Sequence, residues 1–266
     1  MLTSKETIHA LSDVAVVKSG HRTLKLILLA ILAGFYIGFG SHLFTVTTTE
    51  LAAHVGFGLS KLIGGFSFSL GLILVVIAGA ELFTGNILMI SGLLTRKISL
   101  GGLLRNWGIV YLGNLAGSIV LALLIYWSAV GGAGGQLTPV GENALGIATT
   151  KTGLNPVVIF TRGIIANWLV CLAVYLAASA KDFIGKFVGC IFPVTAFVAM
   201  SMEHSVANMY FLSIGKLLGD AAGKPLPWAG MLTDLGWSTL GNIVGAGLFV
   251  AWFYWRIHLR DEPAAA

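Results

Sequence analysis

Two glutamates, Glu81 and Glu203, are the only acidic residues that the sequence places deep inside long apolar stretches. A charged carboxylate at the centre of a bilayer costs at least about 2.5 kcal/mol on insertion scales, so it usually faces a cavity or a partner. The simpler alternative is that each carboxylate satisfies backbone donors freed by a helix break. His204 follows Glu203. Successive helical residues point about 100° apart, so the histidine can face a pathway while the glutamate bonds the chain.

Each glutamate lies at an interruption of its apolar stretch. The first interruption, GAELFTGN, covers residues 79–86, and the second, SMEHSVAN, covers residues 201–208. One constant shift places the two glutamates on each other and Asn86 on Asn208. The two interruptions are therefore related, and each predicts a break in a membrane helix.

Three further polar residues make the predicted breaks suitable for an anion. The imidazole of His204 titrates near neutrality and can donate a hydrogen bond or a proton. The hydroxyl of Thr84 and the amide of Asn167 can supply neutral donors. A broken helix also directs the positive end of a half-helix dipole at the gap, which favours negative charge.

An intramembrane enzyme has less support from the same residues. Ser205 adjoins His204 in sequence, but adjacency is not the geometry of a nucleophile and its base. Cys171 and Cys190 lie in apolar runs without metal-ligand spacing. We expect no catalytic residue, no cofactor and no metal site.

The composition identifies the elements that must position these residues. Hydrophobic residues make up 56% of the 266-residue chain and charged residues 10%, whereas soluble domains carry about 25% charged residues. The chain must therefore present apolar surface to a lipid bilayer. Its net charge of +5 does not indicate nucleic acid, because the basic residues lie in short connections between apolar stretches.

Six apolar stretches reach the length of about 20 residues that a membrane-spanning helix needs. They cover residues 24–46, 62–93, 106–129, 155–178, 183–214 and 235–257. An even number of spans puts both termini on one side, and the bias of basic residues places them in the cytoplasm. The predicted parts are a cytoplasmic N-terminal segment (1–23), one six-span domain (24–257) and a cytoplasmic tail (258–266).

The six predicted spans form two repeats of three, at about 24–130 and 155–257. The third and sixth spans share the motif LGN, at 112–114 and 240–242. A second repeat that follows an odd number of spans must lie inverted relative to the first. The predicted fold class is an all-α membrane protein with six transmembrane helices in two inverted three-helix repeats, in which helices 2 and 5 are broken.

At the breaks, the sequence resembles the formate/nitrite transporter family. The matching segments are VIAGAELFTG (76–85), GIIANWLVCLA (163–173) and EHSVANM (203–209). Within the family, the whole chain looks most like the hydrosulfide channel branch. The resemblance implies an aquaporin-like protomer in a homopentamer, with one pore per protomer, and we expect it in a bacterial plasma membrane.

The resemblance also implies two apolar constrictions along that pore. The periplasmic constriction falls at Phe68, Leu72 and Phe197, and the cytoplasmic slit falls at Leu82, Phe83 and Val170. Apolar side chains that narrow a pore force a permeating ion to lose part of its hydration. The alternative for each aromatic residue is helix packing or lipid contact.

Polar residues of the pore follow from the same resemblance. It makes His204 the central histidine, and it implies that Lys151, Asn167 and Glu203 are its polar companions. Thr84 belongs to the loop that interrupts the second helix. Taken by itself, Lys151 lies in a predicted loop, where a lysine is usually a solvated surface charge.

We expect a channel or transporter for small monovalent anions, with hydrosulfide first and formate, nitrite or chloride as further substrates. The alternative is a formate or nitrite transporter with proton coupling. A neutral-solute pore of the water or glycerol type shares inverted three-span halves, but it carries paired Asn-Pro-Ala turns. The breaks in this chain read FTGN and VANM, which disfavours such a pore.

Overall fold

The computed structural model describes residues 1–260, most of which are helical. In chain order the helices are α1 (Ser4–Ser19), α2 (Thr23–Thr48), α3 (Leu51–Val55), α4 (Phe57–Gly79), α5 (Phe83–Leu94), α6 (Leu100–Trp127), α7 (Pro139–Thr152), α8 (Pro156–Ser179), α9 (Phe183–Ala199), α10 (Ser205–Ala221) and α11 (Trp228–His258). An antiparallel hairpin of β1 (Gly132–Ala133) and β2 (Gln136–Leu137) lies between α6 and α7. Residues 261–266 of the predicted tail lie outside the described residues.

Among the described residues, five helices are long and apolar enough to cross a membrane: α2, α4, α6, α8 and α11. They correspond to the first, second, third, fourth and sixth predicted stretches. The second stretch breaks after α4 and resumes as α5, and the fifth is divided into α9 and α10, of 17 residues each. Both predicted breaks are present. The count of six spans stays a prediction, because neither half of the fifth stretch has the length of a span.

The N-terminal segment forms a helix that packs on the bundle. Ile8, Leu11 and Ala15 of α1 are buried in the core. The hydroxyl of Tyr175, in α8, donates to Ser4 O at 2.7 Å. This packing fixes the last turn of α1 beside the first break.

The helix pairs α2–α6 and α8–α11 approach backbone to backbone. A Cβ atom on Gly117 of α6 would lie 2.2 Å from Ile31 O of α2. A Cβ atom on Gly245 of α11 would lie 2.2 Å from Ile164 O of α8. Small residues permit such contacts between membrane helices. The same close approach thus occurs at matched positions of the two sequence repeats.

Helix α11 begins at Trp228, directly after Pro227, and therefore earlier than the predicted boundary at residue 235. The helix consequently contains Asp234, which is fully buried. Asp234, in an apolar helix, is therefore a third buried acidic residue besides Glu81 and Glu203 at the breaks. It lay outside the predicted sixth stretch because Thr233 and Asp234 interrupt the apolar run from which the boundary at residue 235 was drawn.

Replacement of Gly117 by alanine is expected to destabilise the protein, because the new Cβ atom must push α2 and α6 apart. Overpacking of this kind costs about 1–3 kcal/mol. Gly108→Ala in the same helix is the matched control, since a Cβ atom there meets nothing within 4 Å. Thermal unfolding in detergent compares the variants, and equal unfolding temperatures would contradict the close packing.

Candidate functional site at the two helix breaks

The first break separates α4 from α5. Gly79 ends α4 with a φ of +84°, a left-handed conformation that glycine adopts without strain. The freed amide of Phe83 donates to Asn114 Oδ1 at 2.9 Å. Asn114 Nδ2 donates to Ala30 O at 2.7 Å and to Glu81 O at 2.9 Å. One asparagine of α6 therefore holds the break against α2.

The second break separates α9 from α10 and repeats this arrangement. Ser205 N donates to Asn242 Oδ1 at 2.9 Å. Asn242 Nδ2 donates to Gly163 O and to Glu203 O, each at 2.9 Å. Ser201 has a φ of +59°, in the same left-handed region as the glycine that ends α4. These bonds are the structural counterpart of the sequence repeat.

The carboxylate of Glu81 pairs with a lysine. Lys18 Nζ lies 2.9 Å from both carboxylate oxygens and 2.7 Å from Asn86 Oδ1. Asn86 Nδ2 donates to Glu81 Oε2 at 2.6 Å and to Asn106 Oδ1 at 2.8 Å. We call Lys18, Glu81, Asn86 and Asn106 the Glu81 network. Asn114, rather than the carboxylate, accepts from the freed backbone donor at this break.

A matching set surrounds Glu203. Lys151 Nζ donates to Glu203 Oε2 at 2.6 Å. Asn208 Nδ2 donates to Glu203 Oε2 at 2.8 Å and to Asp234 Oδ1 at 2.7 Å. We call Lys151, Glu203, Asn208 and Asp234 the Glu203 network. It differs from the Glu81 network in having an aspartate where the latter has Asn106.

Lys151 lies in the last turn of α7, so the prediction that it lies in a loop is wrong. Thr138 caps the start of α7, Pro139 occupies its first turn, and the helix continues to Thr152. The side chain of Lys151 is only 13% exposed. It is therefore the partner of a buried carboxylate rather than a solvated surface charge.

His204 and Thr84 join the two breaks. His204 Nε2 lies 2.8 Å from Thr84 Oγ1. His204 Nδ1 accepts the backbone N–H of Ala207 at 3.1 Å, so this network assigns the proton of the neutral ring to Nε2. Nε2–H then donates to Thr84 Oγ1, and the Thr84 hydroxyl keeps its own hydrogen for a further acceptor.

Asn167 positions the first break rather than lining a cavity. Its Nδ2 donates to Thr84 O at 3.1 Å and to Asn242 O at 2.9 Å, which engages both amide hydrogens. Cys171 Sγ also donates to Thr84 O, at 3.3 Å. Direct contact between Asn167 and an anion stays a prediction.

Two cavities reach the breaks. The Glu203 cavity has a volume of about 300 Å³ and extends to His204, and the Glu81 cavity has a volume of about 520 Å³ and extends to Gly85. The basic residues that line them are Lys61, Lys151 and Arg162 in the Glu203 cavity and Lys18, Lys25 and Lys186 in the Glu81 cavity. Among the described lining residues, each cavity has one acidic side chain, its glutamate. An excess of positive charge in a cleft attracts anions.

The six predicted constriction residues are all buried: Phe68, Leu72, Phe197, Leu82, Phe83 and Val170. Phe68 and Phe197 line the Glu203 cavity, with ring centroids 5.7 Å apart. Leu72, predicted with these two rings, lies one turn further along α4 and lines the Glu81 cavity with Leu82. Phe83 packs edge-on against Tyr111, at 5.0 Å between ring centroids.

Five residues that hold the site were not predicted from the sequence to do so: Lys18, Asn106, Asn114, Asn242 and Asp234. Asn114 and Asn242 belong to the matched LGN segments, so the repeat itself was a signal for them. Lys18 lies as many residues before the start of α2 as Lys151 lies before the start of α8. The repeat therefore also indicated Lys18 as the counterpart of Lys151. No set of three His, Cys, Asp or Glu side chains within residues 1–260 is arranged to hold a metal ion.

Comparisons with known proteins agree with this architecture. A family model described as formate/nitrite transporter matches residues 5–256. The chain is 42% identical over 274 residues to a probable formate transporter of Methanothermobacter thermautotrophicus, which covers 96% of this chain and 97% of that protein. It is 36% identical over 269 residues to the formate channel FocA of Escherichia coli (strain K12), covering 94% and 92%. A solved pentameric formate channel with formate bound superposes with a TM-score of 0.77 at 37% identity, covering 90% of this chain and 98% of that one.

Glu203→Leu is expected to lower the free energy of unfolding by about 3 kcal/mol, because it leaves the largely buried ammonium of Lys151 without its counter-ion. Asp13→Ala is the control, since Asp13 pairs with Lys97 at 2.6 Å but is 68% exposed. Loss of such a surface pair costs less than about 1 kcal/mol. Chemical unfolding in detergent measures both variants. Equal losses would show that the Glu203 network does not stabilise the second break.

Proposed function

The chain belongs to the formate/nitrite transporter family, and from that membership we propose that it conducts small monovalent anions across a membrane, with formate as the first substrate. One observation carries the proposal. Two electropositive cavities approach the two helix breaks, which are joined by the 2.8 Å contact between Thr84 and His204. A pathway with basic mouths and neutral donors at its centre suits a single negative charge.

An anion that moves inward from water meets basic residues, then aromatic rings, then neutral donors. Lys151 and the other basic residues of the cavities raise the local concentration of anions. The rings of Phe68 and Phe197 cannot replace the hydration that the anion loses beside them. Beyond the rings, the anion can accept from the hydroxyl of Thr84, and from Nε2–H of His204 when that group leaves Thr84 Oγ1. The N-terminus of α10 adds positive potential directly after His204.

We propose that His204 serves as a neutral donor rather than as a proton carrier. A second proton would have to sit on Nδ1, which accepts the amide of Ala207. Protonation would replace that bond by two opposed donors and would weaken the cap of α10. A histidine that stays neutral favours a channel over the proton-coupled alternative.

The proposed setting is a bacterial plasma membrane with both termini in the cytoplasm. The Glu81 cavity then opens to the cytoplasm, and the Glu203 cavity opens to the outside. The proposed assembly is a homopentamer, because a solved relative is a pentameric formate channel. Hydrosulfide and nitrite, like formate, are singly charged conjugate bases of weak acids, so the same pathway suits all three.

Flux into liposomes that contain the purified protein tests the proposed function. Formate, nitrite and hydrosulfide should each enter faster than into empty liposomes, and the ratio of the three rates identifies the preferred anion. Glycerol should not enter faster. Passage of glycerol without any of the anions would contradict the proposal and would indicate a neutral-solute pore.

His204→Phe is expected to lower formate flux by about tenfold or more, because a hydrogen bond to a charged group contributes about 1.5–3 kcal/mol. His204→Asn keeps a donor and should retain a larger part of the flux. His54→Asn, at an exposed position in α3, is the control. Formate flux into liposomes is compared at equal protein density. Wild-type rates in both His204 variants would show that His204 does not contact the permeating anion.

Lys151→Met is expected to reduce formate flux by roughly threefold at low ionic strength and by less at high ionic strength, because salt screens the attraction of one charge. Lys216→Met is the matched control, since Lys216 pairs with Asp220 and lines neither cavity. Flux is measured over a range of salt concentrations. A salt profile unchanged by Lys151→Met would show that this lysine does not attract the anion.

A further inference from the structure

The Glu203 network holds one more acidic residue than the Glu81 network. Asn86 Nδ2 donates to Asn106 Oδ1 at 2.8 Å, and at the matching position Asn208 Nδ2 donates to Asp234 Oδ1 at 2.7 Å. The rest of the two networks consists of one lysine, one glutamate and one asparagine each. The fully buried carboxyl of Asp234 is therefore the chemical difference between them.

Asp234 lacks the partners that a buried carboxylate needs. It is 0% exposed, and its Oδ2 has no hydrogen-bond partner among the described residues. Glu203, by contrast, accepts from Lys151 at 2.6 Å and from Asn208 at 2.8 Å. A buried charge without compensation is costly, and a carboxyl in that position binds a proton instead. Of the two carboxyls, Asp234 is the one that the geometry leaves uncompensated.

The Glu81 network shows what a donor does at this position. Asn106 accepts through Oδ1, and its Nδ2 donates to the backbone oxygen of Lys18 at 3.3 Å. An aspartate can donate from the matching atom only when that oxygen carries a proton. Protonated Asp234 can thus both donate and accept, as Asn106 does, whereas ionised Asp234 can only accept.

The charge count leads to the same assignment. The Glu81 network contains one ammonium and one carboxylate, so its charges cancel. His21 lies 3.9 Å from Glu81 but adds no charge at neutral pH, since burial and then the charge of Lys25 lower the pKa of His21. The Glu203 network contains one ammonium and two carboxyls, so its charges cancel only when one carboxyl is protonated.

Other charged and titratable groups lie on the elements that pack against α11 or in the Glu203 cavity. They include Lys151 of α7, Arg162 of α8, Glu203 and His204 of the second break, Tyr111 of α6, and Lys216 and Asp220 of α10. Lys216 and Asp220 neutralise each other at 2.6 Å. If Asp234 were ionised, Asp234 and Glu203 would both depend on the positive charge of Lys151.

We propose that Asp234 is a proton-binding residue that sets the charge of the Glu203 network and, through it, the attraction of anions into the Glu203 cavity. With the proton bound, Lys151 neutralises Glu203 and the network carries no net charge. With the proton lost, the network carries one negative charge and opposes an approaching anion. Acid conditions therefore favour anion uptake through this cavity, a consequence that rests on the proposed anion conduction.

Infrared spectroscopy of the membrane-embedded protein tests whether Asp234 binds a proton, and this test needs no measurement of transport. The wild type should show the carbonyl band of a buried protonated carboxyl at neutral pH, and Asp234→Asn should lack it. Because an amide replaces a carboxyl of the same shape, the variant retains the acceptor for Asn208. Identical spectra for the wild type and Asp234→Asn in the carboxyl region would overturn the proposal, whatever the protein transports.

Formate flux over about pH 6–8, where formate stays ionised, tests the consequence. Wild-type flux should rise by about threefold or more towards the acid end, and Asp234→Asn should lose that rise. Asn106→Asp is the matched variant, because it places the same acid in the Glu81 network and should steepen the dependence. Formate flux with the same pH profile in all three proteins would overturn the proposal and leave the channel function intact. Absence of formate flux in the wild type would instead overturn the channel function. The infrared band would still show whether Asp234 binds a proton.

Discussion

A helix that breaks inside a membrane leaves backbone donors and acceptors without water to satisfy them. This constraint organises the site. In each half of the chain one asparagine, Asn114 or Asn242, accepts from the first amide after the break and donates to two backbone oxygens. Those bonds hold each break against a pair of helices that approach backbone to backbone through glycine, α2 with α6 at the first break and α8 with α11 at the second.

Since the asparagines satisfy the backbone, the glutamates are available for charge pairing. Glu81 and Glu203 hold Lys18 and Lys151 at the inner ends of the two cavities. Both lysines come from the last turn of a helix that precedes a spanning helix, and their carboxylate partners reduce the cost of burying them. The proposed pathway therefore has basic residues at both mouths and the neutral donors Thr84 and His204 between the breaks.

The sequence was sufficient to predict the broken helices, the repeat and the polar residues at the breaks, because these features are local patterns of hydropathy and spacing. The bonds between distant segments were not predictable in this way. The contact of Lys18 with Glu81 depends on how α1 docks, and the helical position of Lys151 depends on a cap at Thr138. Asp234 was overlooked because it interrupts the apolar run of its own helix, where burial comes from tertiary packing. The position of Leu72 at the Glu81 cavity likewise follows from the course of α4.

The central claim is that basic mouths and neutral central donors select a single negative charge. The reversal potential of the purified protein in a planar bilayer with a gradient of sodium formate tests it most directly. The account predicts a reversal potential near the equilibrium potential of formate, because Lys18, Lys151 and the other basic residues of the cavities repel sodium. A reversal potential near the equilibrium potential of sodium would contradict it.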